Sequence, residues 1–192
     1  MSLSPLDPKT ALIVVDLQQG VAVLPTAHPV TAVVAQAARL AGAFRARGWP
    51  VVLVNVAGTA PGRSEQPRRA ASQDPNWSAL LPELGAQAGD HLVTKRSWGA
   101  FTGTDLEDYL RRWGVTQVLL CGIATSIGVE STARQAHELG FNVALAVDAM
   151  TDLSGEAHAN SVQRIFPRLG ETATTREVLE QLRAAPGRPK FS

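Results

Sequence analysis

Short apolar runs alternate with amphipathic stretches along this chain. ALIVVD (Ala11–Asp16) is rich in β-branched residues and predicts a buried strand. PVTAVVAQAARLAGAFRARG (Pro29–Gly48) repeats its apolar positions at helical spacing and ends in basic residues and a glycine, a helix stop. VVLVNV (Val51–Val56), HLVTK (His91–Lys95), VTQVLLCG (Val115–Gly122) and NVALAVDA (Asn142–Ala149) predict four more strands, and Glu171–Ala173 a short sixth. Helices are predicted over TDLEDYLRRWG, over Ser126–Gly140, over Glu156–Phe166 and from Thr175 to about Ala184. Thr104 with Glu107, and Thr174 with Glu177, have the spacing of capping boxes. Residues 57–76, rich in Gly, Pro, Ser and Arg, form the one long irregular region, and the tail APGRPKFS reads as frayed.

Strand–helix alternation with short links predicts a mostly parallel central sheet covered on both faces, a three-layer α/β/α sandwich. No internal repeat or linker divides the chain, so residues 1–192 are read as a single domain. In such sheets ligands bind at the carboxyl ends of the strands. That rule selects Asp16, Leu17 and Gln18 after the first strand, Asn55 in the second, Lys95 and Arg96 after the third, Cys121–Thr125 after the fourth, and Asp148 in the fifth. An Asp and a Lys that end separate strands can meet in one crevice. There they form either a structural ion pair or an acid–base pair tuned by burial and by each other.

Composition narrows the field. Hydrophobic residues make up 45% and charged residues 18% of the 192, as expected of a globular, soluble chain. A formal charge of +1 gives no reason to expect a nucleic-acid or membrane partner. No apolar run reaches the roughly 20 residues of a membrane helix, and the N-terminus lacks the apolar core of a signal peptide. The single cysteine, Cys121, excludes an internal disulfide and suits a reducing cytoplasm.

The blocks VVDLQQG (Val14–Gly20), KRSWGAFTGTDL (Lys95–Leu106), CGIATSIGVESTARQA (Cys121–Ala136) and AVDAMTD (Ala146–Asp152) resemble, in order and spacing, the isochorismatase-like hydrolases. The resemblance spans nearly the whole chain. It implies a catalytic Asp16 and Lys95, a small-molecule substrate, and self-association as a homodimer or higher homo-oligomer. The cysteine hydrolases of that family carry their nucleophile in a pattern like G-[VI]-A-T-x-x-C-V. Here the pattern reads Gly122 to Val129, and the nucleophile position is Gly128. Cys121 lies seven residues earlier, inside a strand, where a thiol behaves as a small hydrophobe.

Isochorismatases proper are similar at this point, often with Gly in that slot. Their chemistry is cleavage of a vinyl ether: a proton goes to carbon, water adds to the oxocarbenium ion, and pyruvate and an alcohol leave. Asp16 is then the expected acid, made neutral by burial against the opposing charge of Lys95. The resemblance also implies a cis peptide between Ile123 and Ala124, with the N–H groups of Ala124 and Gly128 facing one oxyanion position. Gln18, Asn55 and Phe101 complete the expected substrate-binding set, with Trp77 and Trp98 as further candidates for the pocket wall.

Two departures matter. Isochorismatases often carry Tyr where this chain has Ala124, so the turn is closer to the amide hydrolases. Substrate carboxylates would need donors, for which Lys95, Arg96, Arg63, Arg68 and Arg69 are candidates. The stretch NVAGTAPGR after the second strand lacks the Asp and His of the nicotinamidase metal site. The four histidines show no ligand spacing, and His137 and His158 read as helix-surface residues, so neither metal nor cofactor is expected. Three functions remain: a cysteine-independent hydrolase, an amide hydrolase using Thr125 or Ser126, and a binding protein that has lost its chemistry.

Overall fold

A computed structural model describes residues 3–65 and 74–184. Six parallel strands form one sheet in the order β3-β2-β1-β4-β5-β6. They are β1 (Thr10–Val15), β2 (Val51–Val56), β3 (His91–Lys95), β4 (Gln117–Ile123), β5 (Asn142–Thr151) and β6 (Glu171–Ala173). Helices cover both faces, so the three-layer α/β/α sandwich expected from the alternation is the observed architecture. The helices are α1 (Gln19–Ala22), α2 (Val30–Ala46), α3 (Leu106–Arg112), α4 (Glu130–Glu138), α5 (Gly155–Asn160) and α6 (Thr175–Ala184).

The two-residue period of the strands divides the core in two. Leu12, Val14, Leu53, Leu119 and Cys121 pack under α2 and α6, against Leu40, Phe44 and Val178. Ile13, Val15, Val54, Val93 and Leu120 pack under α3 and α4, against Leu110, Ala133 and Ala136. Every residue of β1 and β4 is buried, as a central parallel strand requires. No helix among the described residues is long and apolar enough to cross a membrane.

Two local expectations need correction. Thr104 and Glu107 form no capping box, because helix α3 begins one residue later with Asp105 as its cap position. The Thr104 hydroxyl donates to the Ala100 carbonyl, and Glu107 turns to Arg111. The second box does form: Thr174 N–H donates to Glu177 Oε2 at 2.7 Å, and Glu177 N–H to Thr174 Oγ1 at 3.3 Å. The second correction concerns β5, which does not end near Asp148. Its register against β4 jumps from Leu120↔Leu145 to Gly122↔Met150. This bulge carries Asp148 away to bond the N–H and hydroxyl of Thr175, at 2.6 and 2.9 Å, and makes Asp152 the acid at the strand's end.

Gly122 shows why the close of β4 needs glycine. Its φ is +123°, and a Cβ there would lie 2.0 Å from the Val15 carbonyl oxygen. Both the backbone and the space exclude a side chain. Gly122→Ala should therefore lower unfolding free energy by about 3 kcal/mol or more, read from urea unfolding with the m-value unchanged.

Candidate active site

Asp16 follows β1 directly and adopts φ +53°, which turns the chain sharply at the sheet's carboxyl edge. Its N–H donates to the Val54 carbonyl at 2.9 Å, which anchors that turn to β2. Lys95, the last residue of β3, donates from Nζ to Asp16 Oδ2 at 2.7 Å and to the Ser97 carbonyl at 3.1 Å. Asp16 is 6% and Lys95 2% exposed. Burial pushes the Asp16 carboxyl up to about 6, although the Lys95 charge and hydrogen bond pull it down. Desolvation is thus the larger effect. Asp16 Oδ2 belongs to Lys95, while Oδ1 is buried with no hydrogen-bond partner among the described residues.

Strand β4 ends at Ile123, and the peptide to Ala124 is cis. A π-helical turn, Thr125–Val129, leads into α4. It brings position 128 over the acid: a Cβ built on Gly128 would lie 3.1 Å from Asp16 Oδ2 and 3.1 Å from Val15 Cγ1. Its backbone is not in the left-handed region, so the missing side chain leaves room rather than serving a turn. The Ala124 carbonyl accepts the N–H groups of Ile127 and Val129, both at 3.1 Å.

Cys121 faces the opposite layer, under α2, with no exposure. Burial, with Asp148 adding a smaller push, raises its thiol to about 12, so it is no nucleophile.

The domain model described as "Isochorismatase domain" matches residues 10–177. The chain belongs to the isochorismatase family. It is 46% identical over 182 residues to the isochorismatase family protein YecD of Escherichia coli O157:H7, covering 90% of this chain and 96% of that one. It is 43% identical to YwoC of Bacillus subtilis, covering 91% and 95%. A solved isochorismatase family protein from Burkholderia thailandensis superposes with a TM-score of 0.91 at 45% identity, covering 95% of this chain and all of that one. The protein is an isochorismatase-family hydrolase.

Not every residue expected in this isochorismatase-family site takes part. Gln18 is fully buried and its amide is fully engaged: Oε1 accepts Val56 N–H at 2.7 Å, and Nε2 donates to the Val56 and Trp77 carbonyls at 3.1 and 3.0 Å. It ties the 74–81 segment to β2 and does not face a substrate. Phe101 stacks on Phe141, just before β5, with ring centroids 6.1 Å apart. That contact places it beneath α4, toward the strands' amino ends, so it does not line the pocket. Trp77 packs against Gly20, and Trp98 is 63% exposed. Asn55 donates to the Ser78 carbonyl at 2.8 Å and keeps a buried, unpartnered Oδ1. Arg96 stands exposed beside Ala57, Arg63 is exposed, and Arg68 and Arg69 lie outside the described residues.

The histidine reading also changes. His158 is half-buried rather than on an open helix surface. Its Nδ1 lies 2.8 Å from Thr125 Oγ1, and its ring meets that of His28 edge-on at 4.7 Å. Asp152 Oδ2 accepts the Ser126 N–H at 2.7 Å. Residues 130 positions apart in the chain thus meet at the rim of the site, which no local spacing signals. Among the described residues, no three His, Cys, Asp or Glu side chains are arranged to hold a metal ion.

Lys95→Met removes the one influence that lowers the Asp16 pKa. The carboxyl should then titrate clearly above about 6, measured by carbon NMR of the side-chain carboxyl.

Proposed function

We propose that this chain hydrolyses a small vinyl ether of the enolpyruvyl type, without a cysteine, using Asp16 as the acid. One observation carries the reading: a buried carboxyl raised to about 6, whose Oδ2 is held by Lys95 beneath a position that has no side chain and whose Oδ1 is unpartnered among the described residues. A neutral Asp16 carries its proton on Oδ1, since Oδ2 accepts from Lys95.

The Oδ1 proton passes to the terminal vinyl carbon, and the C=C electron pair forms the new C–H bond. The ether-bearing carbon becomes an oxocarbenium ion and Asp16 a carboxylate, which the adjacent Lys95 ammonium stabilises. Water adds to the cationic carbon and returns a proton to Asp16. The hemiketal then collapses to pyruvate and an alcohol. Lys95 uses two of its three N–H groups on Asp16 and Ser97 among the described residues, so one remains for a substrate carboxylate. In this reading the buried, unpartnered Asn55 Oδ1 accepts from a substrate hydroxyl.

A second reading, amide hydrolysis by a hydroxyl of the same turn, is favoured by the Thr125–His158 contact, a nucleophile–base distance of 2.8 Å. Against it, Thr125 has no solvent exposure. An acyl adduct on Thr125 or Ser126, trapped by mass spectrometry, would replace the vinyl-ether reading.

The acid reading fixes the sign of the pH dependence. Neutral Asp16 is the reactive form, so pyruvate release should fall as pH rises through about 6. Asp16→Asn should lower kcat by about a thousandfold in the enolpyruvyl-ether assay. Unchanged turnover in that variant excludes Asp16 as the acid.

A further inference from the structure

Histidine 158 lies outside the residues that touch Asp16, yet it is built into the turn that covers the acid. Thr125 opens that turn and is fully buried, so its hydroxyl proton requires an acceptor. The partner at hydrogen-bond distance is His158 Nδ1, at 2.8 Å. The next residue of the turn, Ser126, has its N–H held by Asp152 Oδ2 at 2.7 Å, and Asp152 Oδ1 accepts Ser154 N–H at 3.2 Å. One end of the turn is thereby fastened, through a side chain and through the backbone, to the segment that runs from β5 into α5. Three residues beyond Thr125, Gly128 sits over Asp16.

We infer that His158 is a positioning residue: by accepting the Thr125 hydroxyl at Nδ1 it holds the Thr125–Val129 turn closed over Asp16, and its protonation releases that hold. A neutral ring accepts the Thr125 proton, whereas an imidazolium has a hydrogen on both nitrogens and cannot. The hydroxyl must then reverse, and a buried O–H loses its acceptor.

The surroundings favour the accepting form. Partial burial lowers the His158 pKa, and His28 opposes a second positive charge across the 4.7 Å ring contact, while Asp152 acts in the other direction. His28 comes from the segment before α2, which is fixed to the end of β5 by Ala27 N–H on the Asp152 carbonyl and His28 N–H on Thr151 Oγ1. His28 Nδ1 also lies 3.1 Å from Thr151 Oγ1. One turn along from His158, Ser161 donates to Glu130 Oε2 of α4 at 2.6 Å, which places a second carboxylate near this junction. His158 is therefore faced by one histidine and one carboxylate, with Glu130 a turn away.

Asp16 depends on this arrangement because burial is the main cause of its raised pKa. A turn that opens admits water, and the carboxyl then returns toward its ordinary value near 4. The role of His158 in turnover rests on the acid reading of Asp16, but the effect on the Asp16 titration does not. The test is a pH titration of the Asp16 carboxyl by carbon NMR, in the full chain, for wild type, His158→Phe, His158→Asn and Thr125→Val. His158→Phe removes the acceptor, and Thr125→Val removes the donor with little change of shape. Both should lower the proton affinity of Asp16 at least tenfold. His158→Asn keeps an acceptor at the Nδ1 position and cannot titrate, so it should restore most of the wild-type affinity. Thr125→Val covers the case in which His158→Phe fails to fold. Identical Asp16 titrations in wild type and Thr125→Val overturn the inference, even if Asp16 proves to be the acid. A shift in Asp16 with no vinyl-ether turnover supports it and overturns the chemistry alone.

Discussion

The fold is organised around one buried ion pair that spans three strands. Asp16 ends β1 and Lys95 ends β3, with β2 between them. Two strand spacings amount to roughly 10 Å, a gap that a long, unbranched ammonium chain can close. The approach requires the strands to finish at nearly the same level, and it requires Asp16 to turn back over the sheet edge at positive φ. Removing two charges from water is costly, and the pair recovers only part of that cost. The result is a carboxyl caught between two opposing influences, with the proton affinity of a group suited to acid chemistry near neutral pH.

The elements around the pair serve its isolation. Gln18 and Asn55 fasten residues 77 and 78 to the end of β2, which closes one side of the edge. The Thr125–Val129 turn closes another, and is itself fastened to the end of β5. Gly128 is then the gap left in the cover. A side chain at this position would start 3.1 Å from Asp16 Oδ2, and glycine leaves that space open.

Much of this was legible from residue pattern. β2, β3 and β6 have the expected ends, because apolar period and flanking turn residues act locally. Asp16 and Lys95 were found by the rule for strand ends, which depends only on topology. Apart from the Thr104 cap, which is lost to neighbours four residues away, the misreadings share a cause: they depend on partners far along the chain. AVDAMTD offers two aspartates four residues apart, and only the bulge against β4 decides which one reaches the site. Gln18 looked available because its backbone partners, 38 and 59 residues away, leave no mark on the local sequence. Phe101 was misplaced because its stacking partner, Phe141, belongs to another βα unit. His28 and His158 meet only because the segment before α2 crosses to the end of β5.

The lone thiol has a use that is unrelated to catalysis. Cys121 lies in the middle of a central strand, fully buried and undissociated. A thiol reagent can reach it only when β4 parts from its neighbours, so its modification rate counts openings of the sheet itself. With no second cysteine in the chain to confuse the signal, the protein carries its own clock for the opening of its core.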